Sequence, residues 1–298
     1  MRRCFGKGEK MKISDIIQSG KPCLSFEVFP PQTWENVEKV KAACSAIAEL
    51  KPDYMSVTYG AGGGTRQYTA DIASFLLEKG VTPLAHLSCV YSDREGIHAQ
   101  LAELKGRGIE NILALRGDIP QEGLHGDYKY ASDLAADIAA FGGFCIGGAC
   151  YPESHPESPN SAFDIDMLKL KADSGCEFFP TQMFFDNNIL YNFLFRLLRA
   201  GVNVPVVAGI MPVTNVRQIK RICSISGTAL PQRFCRIMDR FADDPVALRQ
   251  AGIAYATEQI IDLYANGVQA VHVYCMNQPD IARSIHNNIS GIIKREPV

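Results

Sequence analysis

The sequence has little net charge of either sign. Its 30 Lys and Arg residues nearly balance its 32 Asp and Glu residues, which leaves a formal net charge of −2. Without a global basic field there is no long-range attraction for nucleic acid, and without an acidic tract there is no solvating tail. We therefore expect no nucleic-acid partner.

Long apolar runs are missing too. No segment approaches the roughly 18 consecutive apolar residues that a membrane-spanning helix needs. The basic start, MRRCFGKGEK, leads into no apolar stretch of the kind found in signal peptides. We therefore expect a cytoplasmic protein without membrane contact, and a frayed extension over residues 1–10.

Disulfide and metal motifs are also sparse. The ten cysteines include no CxxC pair, and in a reducing compartment we expect free thiols. The six histidines show no HExxH spacing. His155 stands between Glu153 and Glu157 in YPESHPESP, but a proline-rich loop that presents polar groups is the simpler interpretation, so we predict no metal site.

The chain does contain short apolar runs that alternate with amphipathic segments along its 298 residues. Such runs are typical of parallel strands covered on both faces. A helix is predicted over residues 35–50 from apolar spacings of three and four, and another from the capping pair Asp244-Pro245. Glycines 80, 108, 175, 201 and 267 are predicted helix ends. The predicted strands are 23–29, 54–59, 82–90, 111–117, 144–151, 178–185, 204–211 and 268–275.

This alternation predicts an α/β fold, a single (β/α)8 TIM barrel. A doubly wound sheet is the alternative, because a strand count cannot show closure. Residues 225–243 form an extra helical segment before the last strand. We assign residues 1–20 to an N-terminal extension and lead-in, and residues 21–298 to the barrel.

Polar side chains stand near the ends of nearly all the predicted strands. In this fold those ends form the active-site mouth, and a ring of polar groups there indicates a small-molecule site. The ring comprises Glu27, Thr58, Tyr59, His86, Arg116, Asp118, Tyr151, Glu153, His155, Gln182 and Tyr274.

Three of these residues also have a structural interpretation, although such interpretations do not explain the whole ring. Glu27 lies between Phe26 and Val28, where poor solvation would raise the pKa of the carboxyl and suit it to general-acid chemistry, but it could instead point outward to a helix or pair with an arginine. Asp118 could pair with Arg116 for structure alone. His86 could be a satisfied core histidine.

The segment GAGGGT at residues 60–65 follows the second predicted strand. It lacks a complete GxGxxG, so it is a weak dinucleotide fingerprint. A glycine-rich turn of this kind suits close approach of a ligand to the backbone.

Eight segments in order resemble the methylenetetrahydrofolate reductase family, over about residues 21–285. They are SFEVFPP (25–31), SVTYGAGGG (56–64), HLSC (86–89), LRGD (115–118), YASDL (130–134), YPESHPE (151–157), TQMFFD (181–186) and GIMPV (209–213). The resemblance implies a barrel that holds FAD and reduces 5,10-methylenetetrahydrofolate to 5-methyltetrahydrofolate with NAD(P)H in a ping-pong cycle. The length resembles the short prokaryotic form.

The resemblance also implies roles for individual residues. Glu27 resembles the general acid and, with Gln182 and Tyr274, a residue of the folate site. Asp118 resembles a catalytic aspartate that touches both flavin and folate. The residues that resemble FAD contacts are Thr58, His86, Arg116, Gly117, Asp118, Tyr130, Ala131, Tyr151, His155, Asp164 and Lys171.

Ile222 and Gln278 depart from the family pattern, the first from an aromatic residue and the second from a basic one, so donor preference and substrate affinity stay open. Family members imply a homo-oligomer, and some pair with an electron-transfer partner subunit. Two alternative functions are a flavin-free pterin methyltransferase barrel and a non-catalytic subunit of an electron-transfer complex.

Overall fold

Eight parallel strands form a barrel. The computed structural model describes residues 11–59, 66–90, 92–119 and 126–294, so the predicted extension at 1–10 and the GAGGGT turn lie outside the described residues. The strands are β1 (Cys23–Val28), β2 (Tyr54–Val57), β3 (Pro83–Ser88), β4 (Asn111–Leu115), β5 (Cys145–Gly148), β6 (Phe179–Pro180), β7 (Val206–Ile210) and β8 (Ala270–Val273).

The strand order closes the barrel. Hydrogen-bonded neighbours run β5-β4-β3-β2-β1-β8-β7-β6, and parallel bridges join Gly147 to Phe178 and Cys150 to Thr181 across the remaining seam. The (β/α)8 prediction is confirmed, and the doubly wound alternative is wrong. The sixth strand is shorter than predicted, partly because Pro180 has no N–H to donate to a ladder.

Helices cover the outside of the barrel. They are α1 (Ile13–Gln18), α2 (Val37–Ala48), α3 (Arg66–Glu78), α4 (Arg94–Gly106), α5 (Ala131–Phe141), α6 (Ser161–Asp173), α7 (Asn187–Arg199), α8 (Val216–Ser226), α9 (Gln232–Arg240), α10 (Pro245–Ala265) and α11 (Pro279–Ile293), with a short 3-10 turn at Trp34–Asn36. Helix α9 is the extra helical segment predicted within residues 225–243.

Local signals for helix ends agree with the structure. Asp244 caps α10 by accepting hydrogen bonds from the backbone N–H groups of Val246 and Ala247. The five predicted terminator glycines all have positive φ, as at Gly175, where φ is 104°. A side chain there would be strained, because L-residues rarely adopt this conformation.

Helix α1 closes the N-terminal end of the barrel. Ile13 is fully buried and packs with residues at or next to the N-terminal ends of the strands, such as Tyr54 and Phe178. The backbone N–H of Ile13 donates to Asn111 Oδ1 on β4 at 2.9 Å. The boundary between the lead-in and the barrel at residue 20 stays a prediction. Helix α1, which comes before that boundary, packs on the barrel.

The structure also bears on the cysteine and membrane expectations. The nine cysteines among the described residues are free thiols. None of the helices in the described ranges is long and apolar enough to cross a bilayer.

The closure by α1 predicts a stability effect. Ile13→Ala should lower the free energy of unfolding by about 2–5 kcal/mol, because it leaves a cavity at a fully buried site. Urea unfolding would measure it. Gln18→Ala, on the exposed side of the same helix, is the matched control and should change stability by no more than about 0.5 kcal/mol. Equal effects would contradict a plugging role for α1.

Candidate active site

The alternation of β1 turns its polar side chains into the barrel. Leu24, Phe26 and Val28 belong to the core beneath the helices, whereas Ser25 and Glu27 contact side chains of other strands inside the barrel. This follows from the period of two along a strand. The predicted alternative for Glu27, a side chain that points outward to a helix, is therefore wrong.

Glu27 is surrounded by uncharged polar groups. Its Oε2 atom lies 3.5 Å from Ser56 Oγ, 3.8 Å from His86 Nε2 and 4.0 Å from His272 Nε2. Burial lowers the pKa of both histidines to about 3, so these are contacts of neutral rings rather than ion pairs.

The same burial acts on the carboxyl in the opposite direction. Glu27 is 8% exposed, and desolvation raises its pKa to about 8, against a smaller lowering by the Ser56 hydrogen bond. Removal of water disfavours the charged form of either kind of group. Glu27 is therefore predominantly protonated at neutral pH, which is the form that a general acid requires.

A cleft of about 450 Å³ opens beside the ends of β4 and β5. Its volume is in the range of small-molecule and cofactor sites. Among the residues that the structure describes, all the predicted FAD contacts except Thr58 and His86 line this cleft: Arg116, Gly117, Asp118, Tyr130, Ala131, Tyr151, His155, Asp164 and Lys171.

Two cations of the cleft are held in place. Arg116 donates to both carboxylate oxygens of Glu157 at 2.7 Å, and this hydrogen bonding raises the pKa of the guanidinium. Lys171 Nζ donates to the carbonyl of Ala149 at 2.6 Å, while burial lowers the pKa of its ammonium group. Such fixed donors suit a ligand with phosphate groups.

Gly117 is needed where β4 leaves the barrel. Its φ is 89°, and an added Cβ would lie 2.2 Å from Ser88 Oγ. Ser88 Oγ itself donates to the carbonyl of Arg116 at 2.9 Å. The backbone can turn here only without a side chain, which explains a glycine between Arg116 and Asp118.

The remaining predicted cofactor contacts have local partners. Tyr151 packs edge-on against His155 with ring centroids 4.6 Å apart, and burial lowers the pKa of His155. The buried Asp164 accepts a hydrogen bond from Ser158 Oγ at 2.9 Å. The backbone N–H of Tyr130 donates to Asp133 Oδ2 at 2.8 Å, which fixes the start of α5.

The predicted folate residues lie on the other side of the mouth. Tyr274 donates from its hydroxyl to the carbonyl of Thr181 at 2.5 Å, and Gln182 Oε1 accepts from the backbone of Met183 at 2.9 Å. Tyr274 also packs against an apolar cluster that includes Met183, and Ile222 packs against the same cluster. Glu27, Thr58, His86, Gln182 and Tyr274 lie outside the lining of the cleft as far as the described residues define it.

A sequence model of the family described as methylenetetrahydrofolate reductase matches residues 12–290. The chain belongs to this family. It is therefore an enzyme of methylenetetrahydrofolate reduction, and the family is generally flavin-dependent.

Individual relatives of the methylenetetrahydrofolate reductase family agree. The 5,10-methylenetetrahydrofolate reductase of Pectobacterium carotovorum is 34% identical, with 89% of each chain covered. That of Escherichia coli is 32% identical, over 89% of this chain and 90% of the relative. Against Methylenetetrahydrofolate reductase (NADH) 1 of Arabidopsis thaliana, 32% identical, the chain spans about half the length of the relative.

A solved structure shares the fold of this family member. It is an uncharacterized protein from Clostridium thermocellum that binds two copies of 5-methyl-5,6,7,8-tetrahydrofolic acid. The TM-score is 0.68 over 95% of this chain and 99% of that one, at 14% identity. At this identity the likeness concerns the fold alone.

In this family member the three acidic and histidine side chains of YPESHPESP have separate partners. Glu157 binds Arg116, His155 Nδ1 accepts from the backbone of Glu157 at 3.1 Å, and Glu153 Oε2 accepts from the backbone of Ala229 at 3.0 Å. Over the described part of the chain, no three His, Cys, Asp or Glu side chains are grouped to hold a metal ion.

Sequence reasoning missed three interior residues and one surface residue. Ser25, Ser56 and His272 connect to Glu27 by hydrogen bonds, and Glu157 holds Arg116. A signal for His272 was present, because it lies two residues before Tyr274 and so shares its inward face. Ser25, Ser56 and Glu157 stand in segments that resemble the family, but nothing there predicts these contacts, since serines in strands and glutamates in loops are common.

The burial of Glu27 predicts a pH-dependent stability. The unfolded carboxyl ionises above about pH 4.5 but the folded one only near pH 8. Stability should therefore fall as pH rises between these values, by about 3–4 kcal/mol from pH 5 to 8 relative to Glu27→Gln, which stays neutral. Urea unfolding of both proteins at pH 5, 6.5 and 8 would measure the difference.

The exposed Glu78 on α3 provides the matched control. Glu78→Gln should show no such slope relative to wild type between pH 5 and 8. A pH-independent difference between wild type and Glu27→Gln would mean that Glu27 is ionised throughout.

Proposed function

We propose that this enzyme reduces 5,10-methylenetetrahydrofolate to 5-methyltetrahydrofolate with FAD as cofactor and Glu27 as general acid. The observation that carries the proposal is the burial of Glu27 among uncharged polar groups, which raises its pKa, in a barrel that also has a cleft lined by the expected cofactor contacts. The family supports the reaction, and the arrangement of these residues supports the roles.

Glu27 provides the proton that opens the folate ring. The proton passes from its carboxyl to a nitrogen of the five-membered imidazolidine ring, and the electron pair of the breaking C–N bond goes to that nitrogen. The methylene carbon is left as an iminium on the other nitrogen, ready to accept hydride. A buried acid whose pKa is about 8 gives this proton near neutral pH without a large energetic mismatch.

The residues of the cleft fit FAD. Arg116 and Lys171 offer positive charge for a pyrophosphate, and Tyr151, Phe163 and Met167 offer apolar surface for rings. His86 adds a buried ring nitrogen without a hydrogen-bond partner, close to Glu27. When bound, FAD supplies hydride transfer between donor and folate.

Asp118, Gln182 and Tyr274 complete the proposal. Asp118 is exposed at the end of β4 and lines the cleft, so its charge can act on both the flavin and the folate. In this proposal Gln182 and Tyr274 contact the folate pterin. The fold neighbour from Clostridium thermocellum binds a methylated reduced folate, which supports a folate site in this kind of barrel.

The remaining parts of the proposal concern partners. NAD(P)H, or a donor supplied by a partner subunit, provides the electrons. The two substrates use the site in turn, with the dinucleotide leaving before folate enters. The enzyme is cytoplasmic and homo-oligomeric.

An anaerobic absorption experiment tests the proposal. The purified protein should show flavin bands that bleach with NADH or NADPH and return when methylenetetrahydrofolate is added. In Glu27→Gln the first step should persist, because the change is nearly isosteric and lies outside the cleft lining. The second should slow by about 10²-fold or more, because the proton donor is gone.

Each result of that experiment has a distinct meaning. Equal slowing of both steps would remove Glu27 as the acid. Flavin bands that neither dinucleotide bleaches would point to a partner-supplied donor. A colourless protein that FAD cannot reconstitute would favour a flavin-free pterin methyltransferase.

Asp118→Asn gives an independent prediction. Loss of the negative charge should change the rate of flavin reduction and weaken folate reduction, by about 10-fold or more in the latter. Stopped-flow traces of both half-reactions would show this. Asp173→Asn, at the end of α6, is a control of the same chemistry outside the cleft lining. Unchanged rates in both steps for Asp118→Asn would remove it from the site.

A further inference from the structure

Below Glu27, the barrel holds a row of polar groups to which the proposed acid step assigns no role. Ser25 and Ser56 are fully buried and His272 is 3% exposed. His272 Nδ1 lies 2.7 Å from Ser25 Oγ, and His272 Nε2 lies 3.0 Å from Ser56 Oγ. Ser56 Oγ in turn lies 3.5 Å from Glu27 Oε2. The row therefore ends at the proposed acid.

The contacts at the far end of the row favour one direction for its hydrogen bonds. Ser25 Oγ donates to the carbonyl of Val271 at 3.1 Å. A hydroxyl carries one hydrogen and a carbonyl carries none, so the short contact between Ser25 and His272 takes its hydrogen from Nδ1. A neutral imidazole has one N–H, and burial keeps His272 neutral. Its Nε2 atom is then an acceptor.

The acceptor role of His272 Nε2 affects Glu27 through Ser56. With Nε2 as the acceptor, Ser56 gives its only hydrogen to His272 at 3.0 Å instead of donating it to Glu27 Oε2 at 3.5 Å, and so presents an oxygen lone pair to Glu27. A protonated carboxyl can donate to that lone pair. A carboxylate would draw the Ser56 hydrogen away from His272 and leave the buried Nε2 atom without a partner, which is unfavourable.

We propose that His272 is a positioning residue for the proton transfer. By holding the hydrogen of Ser56, it keeps Glu27 in the proton-bearing form until the substrate takes the proton. The inference rests on the proposed role of Glu27 as the acid. After the transfer, the Ser56 hydroxyl rotates from His272 Nε2 towards the new carboxylate, and no bond to hydrogen in Ser56 breaks.

Other titratable groups around the row stay uncharged while Glu27 titrates. His86 faces Glu27 from β3, Tyr54 stacks on His272 at 5.6 Å, Tyr274 meets it edge-on at 5.4 Å, and Cys275 Sγ donates to the backbone carbonyl of Glu27. Burial lowers the pKa of His86 and raises the pKa values of both tyrosines and Cys275. None of them changes charge between pH 6 and 9.

Two substitutions should move the pH dependence in opposite directions. In His272→Phe, the ring contacts are kept but Ser56 is free to donate to the carboxylate, so Glu27 ionises more easily. The pH at which folate reduction declines should fall by about one unit. In Ser56→Ala, no hydroxyl is left to stabilise the carboxylate, and this pH should rise by about as much. Single-turnover folate reduction by the FAD-loaded enzyme from pH 6 to 10 would measure both.

The double variant separates positioning from structure. His272→Phe should not lower that pH in the Ser56→Ala background, because the residue acts through Ser56. A merely structural role would alter the rate in both backgrounds without moving this pH. His286→Phe, another buried histidine, on α11, is the matched control and should leave the pH profile unchanged. An unmoved profile in His272→Phe, or equal shifts in both backgrounds, would overturn the proposal.

The position of the hydrogen on His272 can be measured directly in the wild-type protein. Nitrogen NMR of the holoenzyme labelled with ¹⁵N-histidine should show His272 neutral, with its hydrogen on Nδ1. A hydrogen on Nε2 would overturn the proposal even if folate is reduced as expected. If the wild type reduces no folate, the proposed function fails, while the NMR result still decides the hydrogen arrangement.

Discussion

The proton on Glu27 is the constraint on which the rest of the site depends. A buried carboxyl keeps its proton near neutral pH only where cations are distant, because a neighbouring positive charge would stabilise the carboxylate. A ligand with phosphate groups instead needs positive charge nearby. The barrel separates the two, with Glu27 on β1 and the cations Arg116 and Lys171 around the cleft. Each cation is also engaged locally, by Glu157 and by the carbonyl of Ala149.

This separation depends on the alternation of side chains along the strands. TIM-barrel interiors are usually filled by Val, Ile and Leu. Here the inward positions of β1, β2 and β8 carry Ser25, Ser56 and His272, with Ser56 beside the acid and Ser25 two residues before it. Apolar filling is displaced towards the N-terminal end, where Ile13 of α1 packs among the strand starts. Helix α1 thus closes a barrel whose middle layer contains polar side chains that form hydrogen bonds.

Much of this arrangement could be predicted from the sequence. Strand positions followed from apolar runs, and the expected cofactor contacts from Arg116 to Lys171 line one cleft. The contacts of Glu27 could not be predicted, because they join β1 to β2, β3 and β8 and depend on the register between strands. Register is a property of the closed sheet, so Ser56 beside Glu27 is invisible in either segment alone.

The neutral site has a thermodynamic cost at both ends of the pH range. Glu27 stays protonated in the folded state up to about pH 8, so stability falls as pH rises above about 4.5. His86 and His272 stay neutral down to about pH 3, so stability falls as pH drops below about 6.5. No pH therefore removes the stability cost of all three groups at once. Contacts elsewhere in the protein offset this cost, among them the closed ladder of strands and the apolar layers on either side of it.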